Sequence, residues 1–470
     1  MKYKIFIYLL VPAIIGACKP EIEEFNFSSG NADFTTFVSI GNSTTAGFAD
    51  GALYKSSQEA SLSNIVAKQL RYVGLNDFNQ PLMNTEDGVG ITITPMGPYY
   101  YTKRILKLVP EMDCSGQPTG DIILAPVFAN ENPDQQLLQQ ELFAPPAVNP
   151  PYHNVSVPGS AIKHLLYSGY GNPINLQLGL ANPYFVRFAS TPDASMVQDA
   201  LGTNPSFILM WSGNNDVLTS ATMGTVDFVT PKDTFDLYYK VVAQTLFDPA
   251  NGNRKGAVLN IPDITHIPYF STISQQLPYN ALVLPADTAT LLTFVYQLAG
   301  LNNISFSEGP NPFVVQKSDG TIGQMEEGDL FLLNLPTDSI QCFGMGAVNI
   351  LDTTPFPIPH KYILDVDEQA IIRDHIISYN MTIQEVAENY DLALVNAFQI
   401  MKNFSPGMVF DGIEFNLSYI EGGLFSLDGV HLNPQGNAVL ANYVIDAINN
   451  KYNASIPHAE ITEYPSIIFP

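Results

Sequence analysis

Two short segments at opposite ends of the 470-residue chain carry side chains suited to nucleophilic chemistry. Near the start, Ser39-Ile40-Gly41-Asn42-Ser43-Thr44-Thr45-Ala46-Gly47 places Ser43 on a glycine-flanked turn after an apolar run. Near the end, Asp428-Gly429-Val430-His431 sets a carboxylate three residues before an imidazole. A serine hydroxyl is a weak nucleophile until a base takes its proton. His431 is the candidate base. Asp428 is the candidate group that orients its ring, leaving the far ring nitrogen for Ser43. An isolated Asp-x-x-His is a common tetrapeptide and specifies little by itself.

Ester hydrolysis also needs donors aimed at the oxyanion that forms on the carbonyl. His153-Asn154-Val155-Ser156-Val157-Pro158-Gly159 offers a glycine amide after a strand-like run. Trp211-Ser212-Gly213-Asn214-Asn215-Asp216 offers the Asn215 amide side chain after another. Asn215 can donate from its NH2, which an Asp could not do. With the Ser43 N–H these make a three-donor set of Ser43, Gly159 and Asn215. Taken singly, Gly159 and Asn215 are ordinary turn or cap residues.

The elements that must position these groups alternate strand and helix. Thr35 to Ile40 reads as a strand, and Ser56-Ser57-Gln58-Glu59 as a capping box for a helix through Leu62, Ile65, Val66 and Leu70. Tyr152 to Val157 alternates as a strand, followed by a helix with Ile162, Leu165 and Leu166. Ser206 to Trp211 is a continuous apolar run, as in a buried parallel strand. A helix from Thr230-Pro231 to Leu246 and a strand from Ala257 to Ile261 follow. After them come a helix from Asp367 to Tyr390, a strand from Leu392 to Val395, and a last helix from Asn433-Pro434 through Ile448. This order predicts a parallel sheet covered by helices on both faces. Ser43, Gly159 and Asn215 each fall just past a strand end, where such folds gather their chemistry. Residues 75–150 lack a sustained period and read as an irregular insertion. Residues 270–360 read as a second one, with a helix near Thr290 to Leu298 and a strand at Asp329 to Leu333. Both leave the core near the catalytic edge and are expected to wall or lid the site.

The order Ser, Gly, Asn, then Asp-x-x-His is far more specific than its parts, and by it the chain resembles the SGNH (GDSL-type) hydrolase family. Ser43 corresponds to that family's first block, Gly159 to the second, Gly213-Asn214-Asn215-Asp216 to the third, and Asp428 with His431 to the last. Ala46-Gly47-Phe48-Ala49-Asp50-Gly51 and Phe425-Ser426-Leu427-Asp428-Gly429 are similar to the large lipoprotein branch from Bacteroidetes-type bacteria. The first block here reads Gly-Asn-Ser instead of Gly-Asp-Ser, a change outside the nucleophile. The resemblance spans residues 34 to about 450. It implies a three-layer α/β/α sandwich with a parallel central sheet, flavodoxin-like in its topology, and a serine esterase mechanism without cofactor or metal.

The N-terminus reads as a targeting segment. Met1-Lys2-Tyr3-Lys4 is basic, Ile5 to Ile15 is apolar, and Ile15-Gly16-Ala17-Cys18 resembles a bacterial lipobox. Residues 1–17 are then a signal peptide, Cys18 the lipidated residue and 18–33 a tether; an ordinary signal peptide is the alternative. Lys19-Pro20-Glu21-Ile22-Glu23-Glu24 resembles an export signal of surface lipoproteins. The hydrolase domain would run over 34–455, with a tail at 456–470. No later apolar run approaches the roughly 18 residues needed to span a bilayer. The expected setting is the cell envelope, with an outer-membrane lipoprotein held by its lipid.

A hydrophobic fraction of 46% against 14% charged residues describes an ordered globular chain. Forty-five acidic and 20 basic residues leave a net charge of −25. That argues against nucleic acid as a partner, because phosphate binding requires a basic footprint. Cys114 and Cys342 either pair in an oxidising compartment or remain two free thiols. His153, beside the Gly159 segment, reads as a turn histidine and His266 follows a strand end near the site; His164, His360, His375 and His458 lack ligand spacing, and Asp263, Asp365 and Asp367 read as loop and cap residues. The expected partner is an ester on a glycan or a lipid. A silent glycan- or lipid-binding lipoprotein on the same fold is the alternative.

Overall fold

The computed structural model describes residues 26–470. The predicted signal peptide, Cys18 and the rest of the tether up to residue 25 lie outside the described residues. The core is a four-stranded, wholly parallel sheet of β1 (Phe37–Gly41), β2 (Phe207–Trp211), β3 (Lys255–Leu259) and β4 (Ala393–Val395), in that order across the sheet. Phe37 pairs with Phe207, Leu209 with Ala257 and Ala393 with Ala257. Every residue of β1 and β2 is buried. Such runs lack polar alternation because both faces of the sheet are covered.

The cover consists of helices α1 (Leu62–Leu70), α2 (Lys232–Phe247), α3 (Val366–Asn389) and α4 (Pro434–Tyr452). α1 packs on α4 and α2 on α3, while α3 and α4 both lie against β3 and β4. Among the described residues no helix is long and apolar enough to cross a membrane.

Several local expectations change. Ser56 to Glu59 does not cap α1; it lies in its own short helix, Lys55–Glu59. The cap of α1 is Ser61, which accepts from the Asn64 N–H at 3.2 Å. α3 starts at Val366, capped reciprocally by Asp365 and Glu368. Tyr152 to Val157 forms no regular strand and makes a single parallel bridge, Asn154 to Ser39. Its backbone nevertheless runs along the outer edge of β1: Ser39 N–H donates to His153 O at 2.8 Å, Val155 N–H to Ser39 O at 2.9 Å and Val157 N–H to Gly41 O at 3.1 Å. Pro150 and Pro151 before it and Pro158 after it cannot donate to a ladder, which keeps the pairing short.

With this edge segment counted, the chain steps from β1 to one side, then back across to β2 on the other. The carboxyl end of β1 is therefore a topological switch point, the place where open α/β sheets leave a crevice for ligands.

Residues 75–150 are not irregular. They hold two antiparallel hairpins, Gly90–Thr94 with Gly97–Tyr101 and Arg104–Met112 with Pro118–Phe128, and a helix, Gln135–Phe143. Residues 270–360 include a helix, Ala286–Leu298, and small two-stranded sheets around their own apolar cluster of Phe313, Phe331, Met345 and Ile358. The expected strand at 329–333 shrinks to Leu330–Phe331, paired with Ile363–Leu364. Cys114, in the turn of the longer hairpin, is disulfide-bonded to Cys342 in the helix Thr337–Phe343, with Cα atoms 5.2 Å apart.

Candidate active site

β1 ends at Gly41, where a Cβ would lie 2.3 Å from the Trp211 carbonyl oxygen, so the strand pair closes only around glycine. Asn42 then caps a single helical turn, Ser43–Ala46, accepting from the Thr44 N–H at 3.1 Å, and Gly47 closes it at φ +87°. This tight strand–turn–helix puts Ser43 at the first helical position. Its N–H has no acceptor within the turn.

The other half of the site comes from the loop before α4. One Asp428 oxygen, Oδ1, accepts from the Val430 and His431 N–H groups, both at 2.9 Å, and from the Ser426 hydroxyl at 3.1 Å. The second, Oδ2, accepts from the Gly51 N–H at 3.0 Å and meets His431 Nδ1 at 2.8 Å. Burial alone would raise the Asp428 carboxyl. The His431 ring and the surrounding N–H donors outweigh it and hold the group well below the usual carboxylate range. An ionised carboxylate only accepts, so Nδ1 carries the ring proton and Nε2 is left as the acceptor. His431 Nε2 lies 2.8 Å from Ser43 Oγ. The Phe48 ring, 5.0 Å from the imidazole, packs beside it.

Gly159 sits at φ +79° just past the edge segment. It is exposed, and its N–H donates to nothing among the described residues. Asn215 opens a short helix after β2. One of its amide hydrogens is committed to the Ser160 carbonyl at 2.9 Å, and the second has no acceptor among the described residues. The Ser160 hydroxyl in turn donates to Gly41 O at 2.9 Å, and Asp216 accepts from the Ile162 N–H at 2.9 Å. The segments after β1, after the edge segment and after β2 are thus tied into one unit.

Two features of the site carry no role in the sequence reading. Asp50 accepts from the Leu427 N–H at 2.8 Å and from the Tyr54 hydroxyl at 2.5 Å, while its own N–H donates to the Ser426 hydroxyl at 2.9 Å. The 75–150 stretch reaches this point too: Arg104 N–H donates to Asp50 O at 2.8 Å. From the other side, Tyr269 N–H donates to Gly429 O at 2.9 Å and Leu333 N–H to Tyr269 O at 2.8 Å. The second unforeseen feature is a pocket of about 90 Å³ that opens on Asn42, Ser43 and His431 and is otherwise mainly apolar.

His153 and His266 have other work. His153 Nδ1 accepts from the Asn79 N–H at 3.0 Å, and His266 lies 3.5 Å from Asp263, whose carboxylate also holds Arg373 at 3.1 Å. His360, Asp365 and Glu368 form a tight cluster, built by the cap of α3 and a 3.0 Å contact between His360 and Glu368.

No family model matches the chain, and no curated protein does. Among solved structures, it is similar to LAE5, an alpha/beta hydrolase enzyme from the metagenome of Lake Arreo, Spain. The identity is 11%, the match covers 89% of this chain and 96% of that one, and the TM-score is 0.33. A likeness so slight carries no argument about fold or function.

Proposed function

We propose that the chain is a serine esterase of the SGNH type, hydrolysing carboxylic esters through an acyl-enzyme. The observation that carries this reading is the relay Asp428–His431–Ser43, with both contacts at 2.8 Å. Ser43 Oγ attacks the ester carbonyl as His431 Nε2 takes its proton. The oxyanion is held by the Ser43 and Gly159 N–H groups and the second Asn215 amide hydrogen. Collapse breaks the bond to the alcohol, which leaves with the proton from Nε2. Water then attacks the acyl-enzyme, gives its proton to Nε2, and Ser43 recovers one as the acid departs. Asp428 keeps the ring in its tautomer and stabilises the imidazolium.

The 75–150 and 270–360 stretches are read as insertions that brace the acid–base loop, through Asp50 and Gly429 respectively. Lipidation at Cys18, anchoring to the outer membrane and a glycan or lipid ester as partner belong to the same proposal, on the strength of the N-terminal sequence. The test is turnover of p-nitrophenyl esters together with labelling by a fluorophosphonate. Both are expected in the native protein and absent in a folded Ser43→Ala variant. Full esterase activity in that variant would sink the mechanism.

A further inference from the structure

The pocket beside Ser43 is polar only where it meets the reacting groups. Beyond Asn42, Ser43, Thr44, Asn214, Asn215 and His431, its lining is apolar apart from the backbone at Gly436. Ile400, Met401 and Phe404 come from the helix Ala397–Phe404 that follows β4, and Val439 and Leu440 from the buried face of α4. The lining from Ala397 to Phe404 extends over about 10 Å of helix axis. An acetyl group would reach few of these apolar side chains, whereas a hydrocarbon chain would cover them from water.

From this geometry we infer that the pocket takes the unbranched chain of a medium-length fatty acyl group, so that the substrate is a fatty acyl ester and not an acetyl ester. The inference rests on the esterase reading for its chemistry, but not for its occupancy. The chain belongs to the acid and not to the alcohol because the lining away from Ser43 and His431 is apolar and includes the buried residues Val439 and Leu440. A fatty acyl chain ends in a methyl group and needs no polar partner. The alcohol of a glycan or lipid ester carries a polar remainder, which this lining has no groups to satisfy.

The chain's single tryptophan, Trp211, lines the pocket and reports on it. Straight-chain saturated fatty acids titrated into Ser43→Ala protein should perturb its fluorescence. Affinity should tighten roughly three- to fourfold per added methylene until the pocket is full, then level off. Ile400→Phe should stop that series at a shorter chain and Met401→Ala should extend it. These opposite displacements are not expected from general damage to the fold. A flat series, or one unmoved by both substitutions, overturns the inference. With the native enzyme, p-nitrophenyl esters of increasing acyl length should follow the same steps. A dependence on alkyl length in alkyl acetates instead would assign the pocket to the alcohol and overturn it as well. Chain-length-dependent binding without turnover or fluorophosphonate labelling would uphold the pocket and remove the esterase reading.

Discussion

Asp50 and Asp428 are each bound into the other's loop. Asp50 accepts from the Leu427 N–H at 2.8 Å, and the Gly51 N–H beside it donates to Asp428 at 3.0 Å, both across 377 residues of chain. The Ser426 hydroxyl completes the tie by accepting from the Asp50 N–H and donating to Asp428. The Asp428 carboxylate that meets His431 is therefore positioned by the segment that follows Ser43, so both halves of the proposed relay share one anchor.

Replacing Asp428 by Asn leaves the shape nearly unchanged but sets an amide N–H against a ring nitrogen that should itself be the donor. The imidazole is expected to turn over to the wrong tautomer. Steady-state kinetics should show kcat falling by about 10⁴, with circular dichroism unaltered.

Asp50→Ala removes a half-buried acceptor and strands the Leu427 N–H and the Tyr54 hydroxyl. The cost should be about 1–3 kcal/mol in denaturant unfolding. Because Asp50 acts through the loop, kcat and the rate of fluorophosphonate labelling should fall together while KM stays close to native. Labelling at the native rate would assign Asp50 to stability alone.

Asn215→Ala takes away one oxyanion donor and its bond to the Ser160 carbonyl. A loss on the order of 10²–10³ in kcat is expected, with little change in KM. If kcat holds within threefold, Asn215 is only a brace.

Burial pushes the Asp216 carboxyl up from 3.8 to about 6. A raised carboxyl favours the folded state fully below 3.8, and that contribution is lost as pH climbs through about 6. Two pK units correspond to roughly 3 kcal/mol. Asp216→Asn, which cannot ionise, should flatten this part of the stability profile and gain on the native protein near neutrality. Thermal melts between those two pH values check it.

The relay was legible because Ser43, Asp428 and His431 occur within short segments whose order is itself informative. Asp50 was not, since an Asp before Gly at φ +54° looks like any turn residue, and its partners lie at the far end of the chain. The edge segment 152–157 was read as a strand from its alternation, but the flanking prolines limit its pairing. The hairpins over 90–128 escaped for a different reason. Leu106 is buried but Leu108, Ile122, Ile123 and Leu124 are all exposed, so most of the longer hairpin has no core face to impose a period of two. The pocket had no sequence signature, because its lining is drawn from separate segments that only the fold brings together.

The bond between Cys114 and Cys342 spans 228 residues of sequence, and Gly159, Asn215, β2 and β3 all lie within that span. A protease cutting any surface loop there would open the polypeptide without releasing a piece of it. Such a nicked molecule would keep its mass until reduced, and both halves of the proposed relay, Ser43 before the loop and His431 after it, would stay covalently joined.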